Sequence, residues 1–589
     1  MDASLQLPAD HRPKRRQGRA TWQPWLGVLR LALCALAATA HPTVAAQPDT
    51  LAGTAVVMSV SWPDVGDGPE RLLAVRTDNG RHVLVETADA TATATEQLVT
   101  GARVQVAGEW RRRSPGPASA SSSQGLYMKA SRLQVTAPPQ GHSAGHGRDS
   151  SRSSTSGTAA RRGRWLRQAA TAGTANTGAP APAQGGAGPG GSVTVTPSAN
   201  PLVASEVSTL FIPIAAIESP GVSCPNTAPP LSSVAAVKKA AFEELNPGGV
   251  TIGSTFNRCS YNTSRLTMAN SLVAPLVQLP CNGTTDGVAW TFQTCNFNDF
   301  NGYANAADVV LQKRGIDIDA YQHRVYLLPP SACAFVGLGY VGCNGPDDCR
   351  VWITADFWTS VNAIAHELGH NLFLAHAGAM TNSGQYDEYA DLTGMMGYCC
   401  SDRCPNTAHA WQLGWITAQE LSWSSMSPGQ TQTFTVNSQS LSRLTGVRLT
   451  NLPINDPLFV GYRTRAGGDA TATSDIAGDV GGPGRLHIYT APIANTWDAK
   501  MTTKQATLNA AGQSWALPGT RLVVRLVRAT NSAAVVTLCR KAGPETAASC
   551  QAGLDNDCNG KVGAADAACA PLLRREARAA PLKRARLAQ

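Results

Sequence analysis

Residues 361–376 read VNAIAHELGHNLFLAH, and this stretch sets the expectations for the rest of the chain. Its apolar residues recur at helical spacing and it contains no proline, which predicts a helix from Val361 to Leu374. His366 and His370 are four residues apart, so both imidazoles lie on one face of that helix, about one turn from each other. Two imidazoles in this arrangement can reach a single metal ion.

The residue between the two histidines indicates which chemistry such a metal would serve. A catalytic zinc ion is held by three protein ligands and keeps a fourth position for water. Glu367 lies beside the first histidine, where its carboxylate can take a proton from that water. The sequence therefore predicts that His366 and His370 are zinc ligands and that Glu367 is the general base of a peptide hydrolase.

The third ligand has two candidates in the sequence. His376 follows His370 by six residues, which is too far round for a continuing helix, so the chain must turn back near residue 373. Phe373 would resist a left-handed backbone, and Asn371 could take that conformation instead. Glu388 is a competing ligand further along the chain. We expect His376 to be the third ligand.

The spacing of His366, Glu367, His370 and His376 is similar to that of the metzincin zinc peptidases, and residues 365–377 resemble the gametolysin family. Members of that family lyse the extracellular matrix and cell wall of volvocine green algae. The resemblance covers roughly residues 205–465. It departs from the metzincin pattern at Phe373, where those enzymes usually have glycine. Further matches are Cys259-Ser260-Tyr261, Trp352-Ile353, the run from Asp391 to Gly397, and the run from Gln412 to Trp415.

This resemblance implies roles for two residues beyond the zinc motif. Met396 matches the methionine that lies beneath the metal in metzincins, although Met395 could replace it in the alignment. Tyr398 matches a tyrosine whose phenol approaches zinc or stabilises the oxyanion. An ordinary buried tyrosine remains open as an alternative for Tyr398.

The expected fold is multidomain, with an α/β metzincin-like catalytic domain flanked by a small N-terminal β domain and a C-terminal β-sandwich. A chain of 589 residues is too long for one compact core. The predicted segments are a signal peptide (1–46), a β domain that could be a pro-region (47–137), a disordered linker with a processing site after Arg164 (138–200), the zinc peptidase domain (201–420), a C-terminal β domain (421–540), a Cys-rich calcium loop (541–570) and a basic tail (571–589).

Several features predict secretion. The N-terminus combines a basic region with an apolar run that is too short to span a bilayer, so we expect no integral membrane segment in the mature protein. Cys34 would leave with the signal, and the other 14 of the 15 cysteines lie between Cys224 and Cys569, an even set that suggests disulfides. The cluster of Cys399, Cys400 and Cys404 could form a second zinc site, but an oxidising compartment favours disulfides with Cys333, Cys343 or Cys349, and the sequence does not assign the individual pairs. Asn262 and Asn282 begin glycosylation sequons.

The charge distribution indicates which partners to expect. The formal charge is +9, but the basic residues crowd into the N-terminal segment, the linker and the tail. No basic stretch interleaved with aromatic residues stands out, so we expect no nucleic-acid partner. The expected partners are extracellular protein or glycoprotein substrates in an extracellular matrix or cell wall.

A second candidate metal site lies near the C-terminus. Asp555, Asp557, Asn559 and Asp566 fit a D-x-D-x-N-G pattern with an acidic twelfth position, as in EF-hand calcium loops. Cysteines frame the loop, and the sequence shows no evident helical flanks. Calcium binding and a disulfide-stapled loop without calcium both remain open.

Taken together, these patterns predict a secreted zinc-dependent endopeptidase. The alternative is a non-catalytic matrix glycoprotein that binds metal without cleaving its partners. Glu367 argues against that alternative, because a binding site needs no general base.

Overall fold

The computed structural model describes residues 49–61, 71–87, 98–112, 126–137, 196–198, 206–218, 224, 232–343, 349–381 and 383–577. All of these described residues belong to one compact unit. The predicted signal peptide, the processing site after Arg164 and most of the predicted linker lie outside the described residues. None of the described helices has the length and apolar character needed to cross a membrane.

The structure is mixed and rich in sheet, with few helices. Its strands are β1 (Asp49–Ser61), β2 (Arg71–Arg76), β3 (His82–Thr87), β4 (Arg103–Arg112), β5 (Leu126–Ala137), β6 (Thr196–Ser198), β7 (Thr209–Ile217), β8 (Leu272–Val273), β9 (Val277–Pro280), β10 (Asn282–Thr285), β11 (Val288–Thr291), β12 (His323–Leu327), β13 (Gly337–Tyr340), β14 (Arg350–Ile353), β15 (Ala377–Met380), β16 (Tyr386–Asp387), β17 (Thr417–Ser422), β18 (Thr431–Asn437), β19 (Leu444–Thr450), β20 (Leu458–Arg463), β21 (Arg485–Thr490), β22 (Thr502–Leu508), β23 (Ser514–Ala516), β24 (Leu522–Ala529) and β25 (Ala533–Arg540). The helices are α1 (Val234–Ala241), α2 (Ile252–Cys259), α3 (Phe297–Lys313), α4 (Val361–Asn371), α5 (Thr407–Gln412), α6 (Ser474–Ala477) and α7 (Ala547–Ala552).

Eleven of the described strands form one sheet, and this sheet positions α4. Its order is β2-β3-β5-β4-β1-β13-β14-β12-β7-β8, with β9 also paired to β7. In its centre β12 is parallel to β7 and β14, while β13 is antiparallel to β14. Parallel strands buried on both faces read as continuous apolar runs, as β7 does with six consecutive buried residues from Thr209. Two buried clusters of side chains cover the two faces.

The N-terminal strands continue this same sheet. β1 pairs antiparallel with β13 through residues 58–61 and with β2 and β4 through its earlier residues. Val56, Met58 and Val60 are buried in the same cluster as α3 and β12. The strands of the N-terminal segment therefore belong to the same sheet as β13, which packs against α4.

Strands of the C-terminal half, together with β6, form two further sheets with a shared core. An eight-stranded sheet runs β16-β15-β22-β21-β20-β19-β17-β6, and a four-stranded sheet runs β18-β25-β24-β23. Alternating residues of β18 and β25 are buried against residues of β19 to β21 in one apolar cluster. Because β15 follows α4 closely, the eight-stranded sheet reaches back to the segment that follows the zinc motif.

The 14 cysteines in the described residues form disulfides, but not the expected ones. Cys404 pairs with Cys259, which joins the end of α2 to the segment before α5. The expectation that Cys399, Cys400 and Cys404 pair with Cys333, Cys343 or Cys349 is therefore wrong. The other pairs are Cys224–Cys281, Cys295–Cys333, Cys343–Cys349, Cys399–Cys400, Cys539–Cys558 and Cys550–Cys569.

Candidate metal centre and active site

Helix α4 carries the zinc motif and is buried along its whole length. The side chain of Ser360 caps its N-terminus by accepting a hydrogen bond from the backbone N–H of Ala363 at 3.3 Å. The helix packs against β13, where a Cβ atom at Gly337 would lie 2.5 Å from Oε1 of Glu367. Glycine at this position leaves room for the Glu367 side chain between helix and strand.

The helix ends in a turn that returns the chain towards its own second histidine. Phe373 takes the left-handed backbone conformation itself, with φ of 67°, while Asn371 remains in the helix. The alternative in which Asn371 absorbs this conformation is therefore wrong. The backbone N–H of Leu374 donates to the Gly369 carbonyl at 3.0 Å, and the side chain of Gln412 donates to the Phe373 carbonyl at 3.0 Å. These bonds compensate for the unfavourable backbone of a non-glycine residue.

The turn brings three histidines together. One nitrogen from each of His366, His370 and His376 lies within 4.8 Å of the others, and all three side chains are buried. Nδ1 of His366 lies 3.1 Å from the Met395 carbonyl oxygen, and Nδ1 of His370 lies 2.8 Å from the Leu374 carbonyl oxygen. Since a carbonyl only accepts, each Nδ1 carries the proton and each Nε2 keeps its lone pair.

The remaining nitrogens of these rings fit a metal ion. Within the part of the chain that the structure describes, Nε2 of His366 and Nε2 of His370 are buried and have no hydrogen-bond partner. Burying a polar atom without a partner is unfavourable unless a ligand satisfies it. Three neutral imidazoles are a donor set that zinc prefers, with a fourth position left for water. The residues present therefore fit zinc.

The competing candidate Glu388 lies behind His376. Its Oε2 is 2.9 Å from Nδ1 of His376, and the two side chains are 17% and 5% exposed. A carboxylate in this position accepts the Nδ1 proton and orients the ring, as supporting residues of metal-bound histidines do. In this arrangement Nε2 of His376 is an acceptor, and it lies 2.9 Å from the hydroxyl oxygen of Ser59.

Burial shifts the pKa values of the ionisable side chains in the motif. Glu367 is fully buried, which raises the pKa of its carboxyl to about 8, although a hydrogen bond from Ser61 opposes the shift. That bond joins Oγ of Ser61 to Oε1 of Glu367 at 2.6 Å. Burial lowers the pKa of His366 to about 3 and lowers that of His370 as well, and neighbouring His376 lowers both further. All of these groups therefore favour their neutral forms in this environment.

A buried turn lies beneath the histidines. Met395 and Met396 are both buried, and a Cβ atom at Gly369 would lie 2.5 Å from the sulfur of Met396. The backbone N–H of Ala377 donates to the Met396 carbonyl at 2.9 Å. Met396 thus packs directly against the glycine of the zinc motif, and the Met395 carbonyl orients His366.

Two tyrosines lie near the site, one of which the sequence analysis missed. The ring of Tyr389 is 4.1 Å from the ring of His376 between centroids, and its hydroxyl donates to the Val60 carbonyl at 3.1 Å. The ring of Tyr398, the residue selected from the sequence, is 6.4 Å from the ring of Tyr389. No spacing rule singles out Tyr389, because its position depends on strands distant in sequence.

A small cavity opens beside the motif. His366, Glu367, Tyr398 and Ser61 contribute to its walls. Its remaining lining residues are Val336, Ala363, Tyr389, Gly397 and Cys399. One wall of this cavity, Ser61, therefore comes from the N-terminal strand.

The acidic loop near the C-terminus is well ordered by its own side chains. The Asn559 side-chain amide donates to Asp557 at 3.1 Å and to Asp566 at 3.0 Å. Asp555 and Asp566 are buried, and both oxygens of Asp555 accept backbone N–H groups of the following turn. The four residues selected from the sequence are thus brought together.

Two features of this loop were not evident from the sequence. Oxygens of Glu545, Asp555 and Asp557 lie within 4.8 Å of one another, so Glu545 joins the cluster from outside the motif. Helix α7 precedes the loop, and residues 569–577 are helical after it. The loop therefore has helical flanks, which were not evident from the sequence. Elsewhere on the surface, the side chains of Asn262 and Asn282 are exposed, as glycosylation would require.

Comparison with known proteins agrees with this geometry. The family model described as gametolysin peptidase M11 matches residues 220–516, a range that includes α4, the turn after it and the strands from β8 to β23. No curated protein matches the chain.

Proposed function

The chain belongs to the gametolysin peptidase family M11, and on this premise we propose that it is a secreted zinc-dependent endopeptidase acting on extracellular-matrix or cell-wall glycoproteins. The observation that carries the proposal is the convergence of His366, His370 and His376 beside Glu367. The two unpartnered Nε2 atoms among the described residues support a metal rather than a purely structural histidine cluster.

The proposed reaction is hydrolysis of a peptide bond. His366, His370 and His376 would hold zinc, which lowers the pKa of a bound water to about 7 and polarises the scissile carbonyl. Glu367 takes the proton of the attacking water and delivers it to the leaving amine. Its environment supports this role, since a carboxyl whose pKa is raised by burial can both accept and return a proton near neutral pH.

The remaining residues of the site support these groups. Met395 and Leu374 fix the ring tautomers through their carbonyls, and Glu388 does so for His376. Met396 is proposed as the packing support beneath the histidines. Tyr398 keeps its proposed role of stabilising the oxyanion, and Tyr389 joins it because its hydroxyl already donates to a peptide carbonyl.

The non-catalytic alternative has less support. A protein that only binds metal has no need for a carboxylate at position 367, yet Gly337 leaves space for that side chain where any Cβ atom would collide with it. The packing of helix against strand is therefore arranged around Glu367. This arrangement favours the peptidase.

The finer features of the expected organisation belong to the same proposal. They are a signal peptide over residues 1–46, a metzincin-like catalytic domain, a C-terminal β-sandwich and glycosylation at Asn262 and Asn282. The seven disulfides are compatible with an extracellular protein. We also propose that Asp555, Asp557, Asn559 and Asp566 bind Ca²⁺, with Glu545 beside them, and calcium titration followed by thermal unfolding tests this role.

The experiment that tests the function is a cleavage assay on protein cut in the linker at residues 161–164 and separated from its N-terminal fragment. A denatured protein substrate and a cell-wall glycoprotein preparation would be incubated with it, and the products sequenced by mass spectrometry. We expect new termini inside the substrate chains, loss of cleavage with a chelator and recovery with Zn²⁺ but not with Ca²⁺. Zinc-loaded protein that leaves both substrates intact, or trims only their ends, would contradict the proposal.

A further inference from the structure

Strand β1 pairs with β13, the strand that packs against α4 beside the metal centre. Ser59 pairs with Gly339 and Ser61 with Gly337 across an antiparallel ladder. The ladder is closed at its ends, where Val336 N–H donates to the Ser61 carbonyl and Val341 N–H donates to the Val57 carbonyl, each at 2.7 Å. A strand edge offers one row of hydrogen-bonding groups, so an extended peptide can pair with β13 only where β1 does not.

Three consecutive residues of β1 each bond a different group of the proposed active site. Oγ of Ser59 lies 2.9 Å from Nε2 of His376, and Oγ of Ser61 donates to Glu367 at 2.6 Å. Between them, the Val60 carbonyl accepts the hydrogen bond from Tyr389 at 3.1 Å. Ser59 and Ser61 are both nearly buried. The strand therefore engages a histidine, the proposed base and a tyrosine at once.

These contacts compete with the proposed chemistry. The nitrogen of His376 that faces Ser59 is the one that a metal ligand must offer, because Nδ1 of the same ring is bonded to Glu388. The oxygen of Glu367 that holds Ser61 is one that would receive the proton of water. The Val60 carbonyl holds the Tyr389 hydroxyl, as a substrate carbonyl would. Each group is engaged by the strand rather than by substrate.

We propose that residues 58–61 are an internal inhibitor, which occupies the substrate position of the uncleaved chain until the N-terminal strands are released. This inference rests on the proposed peptidase function. The blocking groups are two serine hydroxyls and a backbone carbonyl, and the sequence from residue 47 to residue 223 contains no cysteine that could act instead. Burial of Met58 and Val60 in the apolar core adds to the hold of the strand.

The first test measures the strand without measuring activity. Backbone hydrogen exchange of residues 336–341 would be followed by mass spectrometry in the uncut, chelator-treated full chain. Wild type should protect this segment, and the double variant Ser59→Ala, Ser61→Ala should exchange about tenfold faster or more, because it loses two buried hydrogen bonds, one to His376 and one to the carboxyl group of Glu367. Thr50→Ala removes a hydroxyl from an exposed position of the same strand and should leave the exchange unchanged.

The second test compares activity in the presence of Zn²⁺. Residues 161–164 are replaced by the recognition sequence of a specific protease, and the chain is assayed uncut and after cutting with removal of the N-terminal fragment. We expect the uncut double variant to cleave substrate about tenfold faster or more than uncut wild type, and the freed chain to be faster still.

The outcomes separate the two proposals. Equal exchange in wild type and double variant, or an uncut wild type as active as the freed chain, would overturn the inhibitory strand while leaving the peptidase intact. A freed chain that binds zinc but cleaves nothing would overturn the peptidase and, with it, the inhibitory role of the strand.

Discussion

Oε2 of Glu388 lies 2.9 Å from Nδ1 of His376, on the side of the ring opposite the nitrogen that faces Ser59. Both residues were candidates for the third metal ligand on sequence grounds. The arrangement suits a division of labour in which His376 binds the metal and Glu388 holds the proton on Nδ1.

Glu388→Gln should weaken zinc binding by about tenfold to a hundredfold, because the ring loses the carboxylate that orients it and raises its basicity. His376→Ala should weaken it more, since a ligand is removed. Competition with a fluorescent zinc chelator measures both affinities, and Glu86→Gln, at an exposed position of β3, is the control. Zinc retained in His376→Ala but lost in Glu388→Gln would reverse the assignment.

Variants of Phe373 test why a bulky residue is tolerated where the backbone is left-handed. Its ring packs against Gly342 and the N-terminal apolar cluster, so Phe373→Gly removes about 1 kcal/mol of backbone strain but loses more in packing. Phe373→Ala loses the packing and keeps the strain. Urea denaturation should rank wild type above the glycine variant and the glycine variant above the alanine variant. A glycine variant more stable than wild type would refute this explanation.

Tyr389→Phe removes the hydroxyl that donates to a peptide carbonyl in the structure. If that bond passes to the substrate carbonyl in the reaction, kcat should fall by about a hundredfold with little change in KM, as for loss of one oxyanion donor. Tyr398→Phe should lower kcat less. The assay uses protein freed of its N-terminal strands, and zinc content is checked in each variant. A larger loss for Tyr398→Phe would return the leading role to that residue.

The parts of this site that could be predicted are the local ones. Helical spacing alone brings His366 and His370 together, and the six-residue step to His376 demands the turn that Phe373 makes. The bonds of Ser59 and Ser61 could not be predicted, because Ser61 and Glu367 are 306 residues apart and meet only through the pairing of β1 with β13. No pattern in the sequence encodes such a register.

The same distinction explains the disulfides and the tyrosines. An even number of cysteines indicated that they form disulfides, but the partner of Cys404 is Cys259, which is 145 residues away. The two become adjacent only because α2 packs in the same apolar cluster as Met395 and Met396. Tyr389 likewise reaches His376 through the return of the chain at β15 and β16. In the acidic loop, the four residues of the motif were predictable from spacing, whereas Glu545 joined them through the fold.

Two buried histidines should make the free energy of unfolding depend on pH. Burial lowers the pKa of both His323 and His487 to about 4, and the neutral ring of His487 is bonded at both nitrogens. The unfolded chain, with a histidine pKa near 6.5, binds more protons, so this stability is present above pH 6.5 and is lost as pH falls towards 4.

The measurement is the free energy of unfolding in urea between pH 4.5 and 6. In His487→Gln, the slope of the free energy of unfolding against pH should fall by about 1.4 kcal/mol per pH unit, because one proton fewer is taken up on unfolding. A slope equal to that of wild type would show that His487 takes up no proton on unfolding.

The most direct test of the central claim is the pair of Glu367→Gln and wild type, both freed of the N-terminal strands and assayed for zinc content and peptide cleavage. Glutamine keeps the size of the side chain between α4 and β13 but cannot accept the proton of water. We predict one zinc ion per chain in both proteins and a loss of at least about a hundredfold in kcat for the variant, with Glu218→Gln, at an exposed position of the retained chain, unchanged. Equal cleavage by Glu367→Gln and wild type at equal zinc content would contradict the account.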